Sequence, residues 1–331
     1  MVSTLALVRL LAALPAVCLA ASVGPRGPKG PKGEDFDPSD LTYREVGARN
    51  TIDWRVWLEK DGHPISFWHD IPLYPDAEDK SVIYYYTEIP RWTDAKLETK
   101  RDEPLNPIFH DDKKEQPRFV YSVWPHKTYP FNYGSIPQTW EDPNHDHDFT
   151  GFPGDNDPVD IFEISSFKYV PYHLAVRSLL TSGRPSFVGE VKKVKILGGL
   201  AMIDDESTDW KIVAIDVEDP LAEHISFIKG DGTNTIIGDD YQNATFAQQI
   251  VEESHGYWKN LQKGNSDPNE IELHQTSTKQ FRDTYIESKK ATKAFKIPKK
   301  SEVLPPKPKP EEFDKWYYLD EEFNMVELPN N

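Results

Sequence analysis

Gly154-Asp155-Asn156-Asp157-Pro158-Val159-Asp160 is the stretch on which the reading of this chain turns, because three carboxylates fall within the six positions from 155 to 160. Pro158 fixes φ and removes a backbone donor, so the stretch is a loop rather than helix interior. The mostly apolar run Val159 to Ile164 follows it and reads as a strand. Carboxylates this close repel one another unless hard cations fill the space between them. Mg2+ is held in this way, by carboxylates, waters and phosphate oxygens. The plain alternative is an acidic surface turn, since Asp and Asn favour turns on their own account. A calcium EF-hand loop fits poorly. It requires an acid or amide at the fifth position, Gly at the sixth and Glu at the twelfth, where this chain has Val159, Asp160 and Ser166.

The chain around this loop has 331 residues, 37% hydrophobic and 12% aromatic, enough for one sizeable core with appendages. With 28 prolines and a mean hydropathy of -0.65, part of it is expected to remain unpacked. Residues 34–331 carry 34 basic against 55 acidic side chains, a net of -21. A body this acidic repels nucleic acid and anionic membrane and suits a protein that gathers cations. Residues 1–20 read as a targeting segment, with Arg9 ahead of an apolar run and the small Ala20 before Ala21. The run is too short to span a membrane, so no stable span is expected. The segment resembles a secretory signal. The rivals are a mitochondrial presequence, given the lack of acids, and a cytoplasmic chain. The single cysteine, Cys18, would leave with the signal, so disulfides do not settle the compartment. Gly24 to Gly33 has the Gly-x-y period of collagen over too few repeats for a triple helix. Residues 21–41 therefore read as a flexible linker.

Further on, period-two alternation marks a strand from Ile52 to Leu58. Asp61-Gly62 follows as a hairpin turn, and the return strand carries Ile65 and Phe67. Strands are likewise expected at Val82–Ile89, stopped by Pro90, and at 95–99, 118–123, 189–203 and 210–217. The same period puts Lys96 and Glu98 on one face, and Asp209 and Lys211 on another. Many short strands with Gly and Pro turns argue for a barrel. Phe246, Ile250, Val251, Ser254, Trp258 and Leu261 recur at helical spacing, with Thr245 and Gln248 as a capping box. After Gly264 the chain is polar, and Lys299 to Pro310 reads as extended. Trp316-Tyr317-Tyr318 reads as an anchor that docks on the body. Asn243-Ala244-Thr245 is a sequon, a triplet common by chance. His145-Asp146-His147-Asp148 reads as a solvated loop rather than a zinc site.

Asp155-Asn156-Asp157-Pro158-Val159-Asp160-Ile161 resembles the signature of the soluble family I inorganic pyrophosphatases of eukaryotic type. Glu88-Ile89-Pro90-Arg91-Trp92, Ala95-Lys96-Leu97-Glu98, Arg118-Phe119-Val120, Asn132-Tyr133-Gly134, Pro137 to Pro143 and Asp209-Trp210-Lys211 extend the resemblance in the family's order. They cover about residues 42 to 222 and resume in the helix. The resemblance implies a mainly β fold with flanking α, a five-stranded OB-like closed barrel with surrounding hairpins and helices. It places the domain at residues 42–264 and a C-terminal extension at 265–331. It implies Mg2+-dependent hydrolysis of inorganic pyrophosphate to two phosphates by a metal-activated water. In that reading Asp155, Asp160 and Asp209 hold the activating metals, Asp204 contributes to a further one and Glu98 to an outer one. Asp157 is the general base. Arg118, Lys96, Lys211 and Tyr133 bind phosphate oxygens, and Glu88 supports them from behind.

The residue chemistry agrees. Hydrolysing a phosphoanhydride requires charge neutralisation and a water made nucleophilic near neutral pH, and clustered divalent cations supply both. Taken singly, each residue has a duller reading: a solvated strand face for Lys96 and Glu98, an acidic turn for Asp204, a surface ion pair for Arg118. Two departures from the family pattern stand out. Residues 167–187 form an atypical apolar and basic segment, and 223–244 is too short for the usual Tyr-Lys phosphate pair. They motivate a second reading, a catalytically impaired homologue that binds cations or phosphate. The resemblance also implies a homodimer, with Trp92 at or near the contact.

Overall fold

A computed structural model describes residues 36–125, 127–165, 185–219, 222, 241–320, 322 and 324–327. The targeting segment, the linker up to Asp35 and nearly all of the atypical and shortened segments lie outside these residues. One compact unit runs from Phe36 to Asn331.

Five strands carry the centre of the fold: Val82–Ile89, Asn132–Ser135, Asp160–Glu163, Val191–Asp204 and Ser207–Asp216. Strand 82–89 pairs antiparallel with 132–135 and with 191–204. Strand 132–135 pairs antiparallel with 160–163, which runs parallel to 207–216. Strand 207–216 pairs antiparallel with 191–204, so the circuit of five strands closes. Strand 82–89 shows why its Tyr-rich sequence suits this place. Ile83 and Tyr85 enter one apolar cluster with Val194, Ile212 and the helix residues Ile250 and Val251, while Tyr84 and Tyr86 enter another with Val56, Leu58 and Ile108. The strand is thus buried on both faces, between the helix side and a second sheet.

That second sheet has the order Glu302–Leu304, Leu41–Ala48, Arg55–Lys60, Ile108–His110 and Leu97–Thr99, with His63–Ile65 added to 55–60. Asp61 and Gly62 both have positive φ, 54° and 73°, as a two-residue hairpin turn requires. The hairpin strand starts at Arg55 rather than Ile52, and its return ends at Ile65 before Phe67. Strand 41–48 lies in the stretch assigned to no element from sequence. Its apolar positions are few, and Arg44 is buried there by an ion pair with Glu59 and a hydrogen bond to the Pro298 carbonyl.

Three further expectations need correction. The stretch 118–123 is regular strand only at Ser122–Val123, because its ladder partner is the C-terminal tail: Trp316 and Tyr317 pair parallel with Ser122 and Val123. The helix, Ala244–Gln262, is not capped by Thr245 and Gln248. Asn243 caps it, accepting a hydrogen bond from the Phe246 N–H at 3.0 Å. The sequon asparagine is therefore a structural cap. Finally, the chain beyond Gly264 is not only a polar appendage. Ile271 is buried with Trp68, Trp140 and Trp258, and Ala291 and Ile297 are buried with Trp57 and Leu105. Asp70 accepts backbone N–H bonds from Thr276 and Ser277, which fixes that stretch to the body. The 299–310 stretch is extended as expected, and its residues Glu302–Leu304 pair parallel with Val46–Ala48.

Candidate active site

The acidic loop is placed by its own backbone. Asp155 accepts the Asp157 N–H at 3.0 Å, and Asn156 adopts φ 72°, which a short polar side chain tolerates. Gly154 is obligatory: a Cβ there would stand 2.2 Å from the Glu141 carbonyl carbon. Asn156 N donates to the Glu141 carbonyl, Trp140 Nε1 donates to Asn156 Oδ1, and Asn156 Nδ2 donates to the Asn269 carbonyl. The loop is thus held between the 137–143 block and the C-terminal chain.

Strand register does the rest. Asp160 lies opposite Lys211 across the parallel pair and opposite Ser135 across the antiparallel one. Lys211 Nζ donates to both Asp160 and Asp209, and at 3.1 Å to Tyr133 Oη. Tyr133 Oη also donates to Asp160. Lys96 Nζ is 2.9 Å from Glu98 and 5.3 Å from the Tyr133 ring centroid, while Lys211 Nζ is 5.6 Å from the same centroid. A cavity of about 470 Å³ opens here, lined by Asp155, Asp157, Asp160, Asp204, Asp209 and Glu98, by Lys96, Arg118, Lys211 and Tyr133, and by Glu88. All the residues singled out from sequence line this one space. Arg118 is half-exposed on it and is paired with Asp111 at 2.6 Å.

The electrostatics are those of a negative site awaiting cations. Burial pushes the Asp155 carboxyl well up, helped by Asp157 and Asp209. Burial raises Asp157 to about 7; Arg101 opposes the rise, and Glu98 and Asp160 add to it. Burial raises Asp209 to about 6 against the pull of Lys211. Glu88, fully buried beneath the cavity and hydrogen-bonded by Thr99, is pushed to about 8 by burial and by Asp160. Burial opposes the Lys96 and Lys211 ammoniums, but the surrounding acids outweigh it and both rise.

Two residues escaped the sequence reading. Carboxylate oxygens of Glu141, Asp155 and Asp209 lie within 4.8 Å of one another. One Glu141 oxygen accepts the Trp210 N–H at 2.9 Å, while Oε2 is buried with no hydrogen-bond partner. A buried carboxylate oxygen left unpaired is costly in water-free surroundings, and a cation beside it removes that cost. The donor set is all oxygen, which suits a hard divalent ion, so these residues fit a divalent metal. Glu141 stands in the quoted 137–143 block, but nothing in its spacing separates it from a turn acid. Arg101, the second, places Nη1 3.1 and 3.2 Å from the two Asp157 oxygens. By contrast, the histidine loop makes no metal group among the described residues. His147 Nδ1 accepts the Phe149 N–H, and its ring packs on Trp210, so the loop is partly buried rather than wholly solvated.

Acids that can hold cations, set beside ammonium and phenol donors that can hold an anion, define a metal-dependent site for a phosphate compound on a small β-barrel. Residues 85–235 match the family model described as inorganic pyrophosphatase. The chain is 38% identical over 304 residues to the inorganic pyrophosphatase of Kluyveromyces lactis, covering 84% of this chain and 98% of the relative. It is 40% identical to that of Zygosaccharomyces bailii with the same coverage. The inorganic pyrophosphatase structure from Schistosoma japonicum superposes with a TM-score of 0.69 at 30% identity, covering 84% of this chain and 99% of that one. A truncated Trypanosoma cruzi vacuolar soluble pyrophosphatase, solved with PPi, gives 0.55 at 30% identity over 72% of this chain and 99% of that one. The chain belongs to the inorganic pyrophosphatase family.

Proposed function

We propose that this chain hydrolyses inorganic pyrophosphate to two phosphates, with Mg2+ as the divalent cofactor. The observation that carries the reading is the meeting of every motif acid and base around one cavity of about 470 Å³. Asp155, Asp160 and Asp209 would hold the activating cations, with Glu141 beside them, Asp204 at a further cation and Glu98 at an outer one. Bound Mg2+ would neutralise phosphate oxygens and make a water acidic enough to attack near neutral pH. Asp157 takes the proton of the attacking water, a role that suits a carboxyl raised to about 7. Lys96, Lys211 and Tyr133 donate to phosphate oxygens from the cavity wall, and Arg118 does so from its edge. Lys211 has a further task, holding Asp160 and Asp209 apart from protonation by its own charge. Phosphate release from pyrophosphate by the full chain, with and without Mg2+, tests the reading: release should require the metal.

The homodimer belongs to the same reading. Trp92 is 47% exposed, and Trp124 is 65% exposed beside Trp316. Exposed aromatics on an acidic body supply the apolar contact that association would need. Residues 1–20 support entry into the secretory pathway, and the N-terminal sequence of the protein recovered from expressing cells tests it.

A further inference from the structure

The segment that presents Arg118 has little regular structure of its own. Arg118 N donates to the Asp111 carbonyl, and its own carbonyl accepts from Lys96 N–H and from His110 Nε2. Val120 N donates to the Asp94 carbonyl, and Ala95 bridges Phe119. Lys96 and Arg118 are therefore backbone neighbours in one small unit, and Phe119 is its apolar centre. One side of Phe119 is covered by His110, with ring centroids 4.8 Å apart. The other is covered by the C-terminal tail: Phe313 lies 5.2 Å from Phe119 and 4.5 Å from Tyr121. The tail also carries Lys309, which pairs with Asp94 and Asp314. It supplies Tyr317, which packs edge-on to Tyr121 and accepts the Trp124 N–H at 2.7 Å. A segment with so few ladder bonds takes its position from what packs on it.

We infer that the tail from Lys309 to Tyr317 is a positioning element for phosphate binding, holding Arg118 at the cavity edge through Phe313. Phe313 touches no cavity residue except through Phe119 and Tyr121, so it acts on the site only by placing its neighbours. The inference rests on Arg118 being a phosphate donor. A donor displaced by a fraction of an ångström loses part of its charge-assisted bond and little else.

The test is a double-mutant cycle in the full chain, read by KM and kcat for Mg2+-pyrophosphate. Phe313→Ala should raise KM about fivefold with kcat within about twofold of wild type. Phe313→Leu should restore most of the loss. Arg118→Ala should raise KM further, and Phe313→Ala added to it should change nothing more. Lys309→Ala, a milder loosening of the same tail, should show a smaller KM rise that also vanishes in the Arg118→Ala background. A wild-type KM for Phe313→Ala and Lys309→Ala, or additive effects with Arg118→Ala, would overturn the positioning role while leaving Arg118 as a donor. A wild-type KM for Arg118→Ala would overturn both. A purely structural tail would lower the melting temperature without splitting KM from kcat.

Discussion

Arg101 places one guanidinium nitrogen across both carboxylate oxygens of Asp157, at 3.1 and 3.2 Å. Its charge opposes the burial that lifts Asp157. Removing it should raise the Asp157 pKa further, so a smaller fraction is ionised at neutral pH. Arg101→Ala should therefore move the acid limb of the kcat/KM profile upward by about one pH unit, and Arg101→Lys should move it less. A profile unchanged in Arg101→Ala would show that the pair does not persist in the working enzyme.

Glu141 offers a buried oxygen with no partner, next to Asp155 and Asp209. Glu141→Gln removes charge there with little change of shape. Mg2+ affinity, read from the activation curve or by calorimetry, should fall about 10- to 100-fold. The metal-free protein should melt no lower, since a repelling acid has gone. Unchanged Mg2+ affinity would assign Glu141 a purely structural part.

The same crowding fixes how the metal-free protein responds to pH. Glu88, Asp157 and Asp209 have folded values of about 8, 7 and 6, above the ordinary carboxyl range. The folded state then binds more protons than the unfolded one between about pH 4 and 8, and stability falls as pH rises through that window. Without metal the melting temperature should drop by about 5 °C or more from pH 5 to pH 8. Saturating Mg2+ should shrink the drop, because it stabilises the ionised acids. A flat metal-free profile would contradict the burial argument.

Trp92 stands at φ 65° with nearly half its surface in water. If it anchors a homodimer, sedimentation at micromolar concentration should give a dimer, and Trp92→Ser should shift it to monomer. A monomeric wild type, or a mutant dimer of unchanged affinity, would remove that role.

Much of this was legible in the chain itself. Pro158 forced a loop, period two put Asp209 and Lys211 on one face, and the Tyr-rich run 82–89 was a strand. What escaped was set by partners distant in sequence. Residues 118–123 look like a strand, but their ladder comes from Trp316 and Tyr317, nearly 200 positions on. Asn243 rather than Thr245 caps the helix, because a helix start depends on backbone geometry that several adjacent polar residues can satisfy. Arg101 and Glu141 look like surface charges until folding brings them to Asp157 and Asp155. The polar stretch after Gly264 hides Ile271 and Ile297, single apolar residues whose burial depends on pockets made elsewhere.

The central claim is that Asp157 takes a proton from water while other acids hold the metal. Phosphate release from pyrophosphate should be measured for the full chain and for Asp157→Asn at saturating Mg2+, with Mg2+ binding followed by calorimetry. The account predicts metal-dependent turnover in the wild type. In Asp157→Asn it predicts a loss of about 10²- to 10⁴-fold with Mg2+ still bound. Full turnover by Asp157→Asn, or no Mg2+-dependent release by the wild type, would contradict it.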